Sequence, residues 1–296
     1  MLRTNASDLV EMAVSGTISQ PALRYPGYVP DSGGLAVVLP GMAGVVYNVR
    51  VGDPAFGWAA DHVEPGVSVA HSDEGSDFAL HYLTCVGNEA VVTSGLARGA
   101  KGVVTGEHAR ILVAFSEETN ALLNVGDTVQ IRTHGRGSEL LDYPHIELKK
   151  VGPRLLAAMR VEALDARRIT VPVALELPVR IMGSGAELTS EYVDQDLMSG
   201  DRALMRELGV DQLRLGDLVA IRHADHHFGR GYREGAVSVA LCIHGDSVMT
   251  GHGPGILTLM TCAEPCIEFT FDRRANLADY GLLDGELLDG GLEEAI

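Results

Sequence analysis

Aromatic residues are scarce in this chain: six Phe, eight Tyr and a single Trp among 296 residues. Basic residues are also short, 23 Lys and Arg against 40 Asp and Glu, for a formal net charge of −17. With no basic run anywhere, the footprint that a phosphate backbone requires is missing, which excludes nucleic acid as a partner. No apolar run is long enough to span a bilayer, and the opening MLRTNASDLVEMAVSG is polar and interrupted by acids. A soluble, cytoplasmic protein with no membrane partner is expected. The four cysteines, Cys85, Cys242, Cys262 and Cys266, offer only one short spacing, too little for a structural zinc site. They are expected to be buried, reduced and unpaired. No G-x-S-x-G elbow, H-E-x-x-H helix or dinucleotide fingerprint is present. GHGPG and Gly99-Ala100-Lys101-Gly102 are not followed by clear helices, so they read as tight turns rather than phosphate loops.

Glycine, by contrast, is frequent, with 35 residues, and short Val, Ile, Leu and Thr stretches are bounded by Gly-Asp, Asn or Pro. That punctuation predicts a mainly β fold of short-stranded barrel-like or sandwich-like parts with a few short helices. Strands are expected at 35–39, 44–51, 90–94, 102–105, 110–115, 128–133, 168–175, 177–181, 218–222, 236–243, 256–261 and 267–271. Helices are expected after Ser116, from Pro153 to Val161, and from Ser199 to Gly209. The length suggests an N-terminal β-rich domain over 1–150 and a C-terminal one over 151–275. Residues 276–296, acidic and broken by glycines, read as a loosely held tail or an arm ordered by a neighbouring subunit.

Two segments match internally: LNVGDTVQIR at 123–132 and LRLGDLVAIR at 213–222 share Leu, Gly, Asp, Val, Ile and Arg. Each is a Gly-Asp turn feeding a strand, and each runs on to a Gly-Arg-Gly. The second copy carries extra residues there, within RHADHHFGRGYREG (222–235). Loops leaving a rigid strand are where sites are usually built. After a continuous apolar run the chain then enters HGDSVMTGHGPG (244–255), whose glycines allow His244, Asp246 and His252 to converge.

These two loops are expected to form facing walls of one pocket. His244, Asp246 and His252 supply the nitrogen and oxygen ligands that suit a divalent transition metal such as zinc, manganese or iron. Glu234 or Asp225 is the expected base, and Arg230 the catalytic anion clamp. Arg230, Arg233 and Tyr232, with Asp61 and His62 from WAADHVEPG, are the expected substrate contacts. Against this stands ordinary loop chemistry: a solvated His226-His227 pair and a surface Arg233-Glu234 pair. Cys85 to Glu89 and Thr105 to His108 are weaker polar groupings of the same kind.

The segments PGMAGVVYNVRVGDPAFGWAADHVEPGVS, GNEAVVTSGLARGAKGVVTGEH, LLDYPHIEL and FGRGYREGAVSVALCIHGDSVMTGHGPGILTLMT together resemble the family catalogued as domain of unknown function 4438. The resemblance runs from about Pro40 to Met260 and implies a β-rich, multi-part fold. It places Asp225, Arg230, Glu234, His244, Asp246 and His252 at positions of the family pattern, whereas His226 stands where the family is associated more with Asn. It supplies no ligand roles and no settled activity.

Two functions of different classes follow. One is a metal-assisted hydrolase, or related enzyme, acting on a small polar substrate that is anionic or contains an amide. The other is a non-catalytic small-molecule-binding or assembly protein. A homo-oligomer is expected in either case.

Overall fold

The computed structural model describes residues 2–21, 29–185 and 194–283. Among the described residues strand accounts for 38% and helix for 15%, so the mainly β expectation holds. Six strands close a barrel: β1 (Met12–Ile18), β2 (Val67–Ala70), β3 (Glu89–Val92), β4 (Lys101–Glu107), β5 (Ile111–Ala114) and β6 (Thr128–Thr133). Their order round the barrel is β1-β2-β5-β4-β3-β6, with every neighbouring pair antiparallel. On β6 the buried residues Val129, Ile131 and Thr133 alternate with partly or fully exposed ones, the period that points one face inward. Val67, Val69, Ile111 and Val113 meet them in the barrel core.

A second sheet follows, built from β7 (Leu175–Pro178), β8 (Met182–Gly185), β9 (Asp194–Leu197), β10 (Leu218–Asp225), β11 (Gly231–His244) and β12 (Gly255–Cys262). Its order is β7-β10-β11-β12-β9-β8, and the short strand Glu147–Leu148 adds to β12. From Ala236 onwards β11 is buried without alternation because both its faces are covered. Val237, Val239, Leu241 and Ile243 enter one core, while Ala240 and Cys242 enter another beneath Ala55, Val63 and Leu177. Ile243 also seats the sheet on the barrel, since a Cβ on Gly106 of β4 would lie 2.6 Å from it.

The Gly-Asp turns of the two matched segments are alike in detail. Gly126 and Gly216 take φ of 91° and 88°, which favours glycine. Asp127 accepts from the Asn124 amide at 2.8 Å, and Asp217 from the Arg214 amide at 2.8 Å. β6 nonetheless sits in the barrel and β10 in the open sheet, so the likeness ends with the turn and its strand.

Several expectations are corrected. Residues 44–51 form turns, with Val45 alone bridging to Val67, because Ala43 and Gly44 take positive φ and break the extended backbone. β1 lies in the stretch read only as a polar terminus; six consecutive residue pairs with β6 hold it despite its exposed side chains. The helix α1 (Glu74–Leu83), unforeseen, is capped by Asp73, whose side chain accepts from the Ser76 amide. Pro153 opens a helix that ends at Ala158, and the third helix starts at Arg202 under an Asp201 cap. The first residues of the expected tail are anchored: Asn276 donates to Asp217 at 2.8 Å and Leu277 is buried. Residues 284–296 lie outside the described residues. All four cysteines are free and buried.

Candidate metal centre

Gly255 opens β12, paired on one side with His244 of β11 and on the other with Asp196 of β9. Residues directly across neighbouring strands point to the same face. The missing side chain of Gly255 leaves a gap over which the two flanking side chains lean together. A Cβ there would sit 2.0 Å from His244 Nε2. His244 Nε2 and Asp196 Oδ1 stand 3.2 Å apart as a result.

Two loops complete the cluster. The turn after β9 is crossed by the loop leaving β11: Gly253 packs so closely that a Cβ would meet the Leu197 carbonyl at 2.1 Å, and this brings His252 over Asp196. His62 comes from the loop before β2, held by its amide on the Asp246 carbonyl at 3.0 Å and carrying a φ of 54°. A non-glycine residue in that region costs about 1–3 kcal/mol and persists only where the surroundings enforce it.

The geometry is one of converging ligand atoms. His62 Nε2, Asp196 Oδ2 and His252 Nδ1 lie 2.6 to 3.3 Å from one another. Asp61 Oδ2, 3.0 Å from His62 Nδ1, accepts a hydrogen bond from it and so aims the other nitrogen at Asp196. A carboxylate behind an imidazole is the usual second layer of a metal site. Asp61 in turn accepts from Ser247 Oγ at 2.7 Å and the Val248 amide at 3.1 Å. His108, from the turn after β4, approaches His244 with ring centroids 3.9 Å apart, and its Nδ1 is 2.8 Å from Glu64 Oε1.

Charge follows from this packing. Burial works against the charged form of Asp196, but His244, His252 and His62 outweigh it and hold the carboxyl far below its ordinary value. Burial likewise lowers His62, yet Asp196 and Asp61 overcome it and raise the imidazole to about 9. His244, buried and facing His108, is pushed down to about 4. Asp194 goes the other way, to about 7, through burial together with the negative charges of Asp196 and Glu107. His108 is raised, the penalty of burial being outweighed by Glu64 and Asp194.

Of the sequence-predicted residues, Asp61, His62, His244 and His252 come together here. Asp246 is adjacent but engaged elsewhere: Ser199 Oγ donates to it at 2.5 Å and Arg202 Nη2 lies 2.6 Å away. The RHADHHFGRGYREG segment forms the end of the β10-β11 hairpin instead. There Asp225 accepts from the His227 amide at 3.1 Å and lies 2.7 Å from its Nδ1. Arg233 is 3.9 Å from Asp225, Arg230 donates to the Gly183 carbonyl, and Tyr232 and Glu234 are exposed. His226 is buried, 2.7 Å from Thr258 Oγ1 and 3.3 Å from Gln195 Nε2.

The expected facing of the two loops is corrected by β9. Successive strand residues point to opposite faces, so Gln195 meets His226 on one side while Asp194 and Asp196 serve the histidine cluster on the other. No hydrogen bond or ion pair among the described residues joins the two loops directly. Asp196, Glu64 and His108 were not singled out as ligands or bases. The available signal was the alternation Asp194-Gln195-Asp196, two acids on one strand face.

The model for Domain of unknown function (DUF4438), N-terminal, matches residues 28–157, and that for its C-terminal domain matches residues 158–281. The chain belongs to the DUF4438 family. The family boundary falls inside the segment between the barrel and the second sheet, so the centre draws His62 and His108 from the N-terminal part and Asp196, His244 and His252 from the C-terminal part. The chain is also similar to the crystal structure of TM1086, with 40% identity, a TM-score of 0.89, and coverage of 94% of this chain and 99% of that one. None of the curated proteins compared with it matches. Among the described residues, no helix is long and apolar enough to cross a membrane.

Proposed function

We propose that this protein is a metal-dependent hydrolase of small polar substrates, with His62, Asp196 and His252 as the ligands of a divalent transition metal. The observation that carries the reading is the convergence of three ligand atoms within 2.6 to 3.3 Å. Ligands of one zinc ion at 2.0–2.2 Å stand about 2.8–3.6 Å apart when they subtend right or tetrahedral angles, close to this spacing. In the absence of a cation, the extra proton that keeps His62 charged does the same electrostatic work; a metal ion replaces it.

Two imidazoles and one carboxylate leave coordination positions for water and substrate. A divalent ion lowers the pKa of bound water to about 7 and polarises the bond to be broken. His108, whose charged form Glu64 favours, is our candidate to hand a proton to a leaving group. Arg202, with 44% of its side chain in solvent beside Asp246, is the cation available at the rim for an anionic substrate.

Metal analysis tests this directly. Protein purified without chelator is expected to carry bound transition metal that His62→Ala and His252→Ala remove, and to hydrolyse small amides or esters only when loaded. Absence of metal under those conditions and after incubation with Zn2+ or Mn2+ overturns it, leaving the non-catalytic binding or assembly reading.

A further inference from the structure

We infer that the cluster holds a second metal ion, bound by His244 and Asp194 and bridged to the first by Asp196. The inference rests on the metal-site reading above and extends it from one ion to a pair.

Asp196 divides its two oxygens. Oδ2 faces His62 Nε2 and His252 Nδ1 at 3.3 and 2.6 Å, whereas Oδ1 faces His244 Nε2 at 3.2 Å. A carboxylate with each oxygen aimed at a different set of imidazoles is the arrangement that spans two ions about 3.5–4 Å apart.

His244 carries the argument further. Its Nδ1 lies 2.9 Å from the Gly245 carbonyl oxygen, which only accepts, so Nδ1 carries a proton and Nε2 is the ring atom turned to Asp196. That Nε2 is buried and has no hydrogen-bond partner. His244 Nε2 and Asp196 Oδ1 therefore face each other in the buried interior. A cation shared between them, a proton or a metal ion, holds the two together, and 3.2 Å falls within the roughly 2.8–3.6 Å that separates two ligands of one ion.

Asp194 is assigned as the third ligand from its strand position; the described ligand atoms within 4.8 Å of one another are those of His62, Asp196 and His252. Asp194 lies two residues from Asp196 on β9 and so on the same face of the sheet. Its Oδ1 is buried without a partner as well. Two orphaned buried atoms in one cluster, beside a carboxylate with its oxygens divided, have one explanation in common. Gly255 beneath them leaves the His244 ring room to reach Asp196.

The test uses the full chain, stripped of metal by chelator and titrated with Mn2+ alone, with bound metal counted after gel filtration and the sample examined by electron paramagnetic resonance. Two Mn2+ per chain with a spin-coupled signal are expected, and His244→Gln and Asp194→Asn should each retain one ion with an uncoupled signal. One Mn2+ per wild-type chain, lost in His252→Ala, overturns the second ion while leaving the first. No bound Mn2+ overturns both. Two ions persisting in both His244→Gln and Asp194→Asn also overturn the assignment. Because the wild-type count and its coupling decide the matter alone, a variant that fails to fold does not rescue it.

Discussion

His244 and Asp196 approach to 3.2 Å although a whole strand separates them, because the residue between them is Gly255. Any side chain there would occupy the space in which the imidazole and the carboxylate meet. The closest substitution, Gly255→Ala, places its methyl group 2.0 Å from His244 Nε2. His244 is fully buried and has little room to retreat. Gly255→Ala is therefore expected to displace His244, cost about 1–3 kcal/mol by overpacking, and abolish the second metal equivalent. Thermal melting and metal counting on the same sample check both parts.

Asp61→Asn isolates the orienting role of the carboxylate behind His62. An asparagine that keeps its oxygen towards Ser247 and the Val248 amide has an NH2 facing His62 Nδ1, where only an acceptor fits. The ring then loses the partner that fixes its tautomer. Affinity for Zn2+ is expected to fall about 10–100-fold, measured by competition with a chromogenic chelator, together with a lower melting temperature of the metal-free protein, because His62 loses a charge partner.

Acid stability should depend on a group beside the centre. Glu107 is buried, which favours its neutral form, but Lys150, 2.7 Å away, and His81 outweigh burial and hold its pKa below the ordinary carboxylate value. A depressed folded pKa stabilises above the unfolded value, about 4.3, and that stability is lost as pH falls through the folded value. Urea denaturation from pH 7 downwards should show a fall below about pH 4.3 that is smaller in Glu107→Gln. Lys150→Met, which strands the carboxylate, is expected to cost about 3–5 kcal/mol at pH 7.

The hairpin end and the rim of the cluster make opposite predictions. Glu234 and Arg233 are exposed on the outer part of β11, so Glu234→Gln and Arg233→Ala are expected to change stability by less than about 0.5 kcal/mol and to leave metal content unchanged. Arg202→Ala should raise KM for an anionic substrate with kcat less affected, because it removes binding rather than chemistry. A kcat collapse in Glu234→Gln with normal metal content would return the base to the hairpin.

Much of the local structure was legible along the chain. Thr128–Thr133 and Ile267–Phe271 have the predicted bounds because β-branched residues follow clear turn signals. Ser116 caps its helix through the Thr119 amide as its residue type suggests. Four of the residues named for chemistry, Asp61, His62, His244 and His252, meet in one cluster, since glycine-flanked histidines in a mostly aliphatic protein stand out by composition. Their common position did not follow from the sequence.

The sequence by itself determined the mainly β character, the Gly-Asp turns, the free cysteines and the polar groups available for a centre, because these depend on residue type and near neighbours. Only the tertiary structure decided which polar groups meet. Asp196 is 56 residues from His252 and 134 from His62, and its selection over Asp246 or Asp225 depends on strand order and register. With β9 beside β12 and Gly255 level with both Asp196 and His244, the even period of the strands turns Gln195 towards His226 and Asp194 and Asp196 towards the histidines. A slip of one residue in that pairing would exchange the two faces and dismantle the centre without changing the composition.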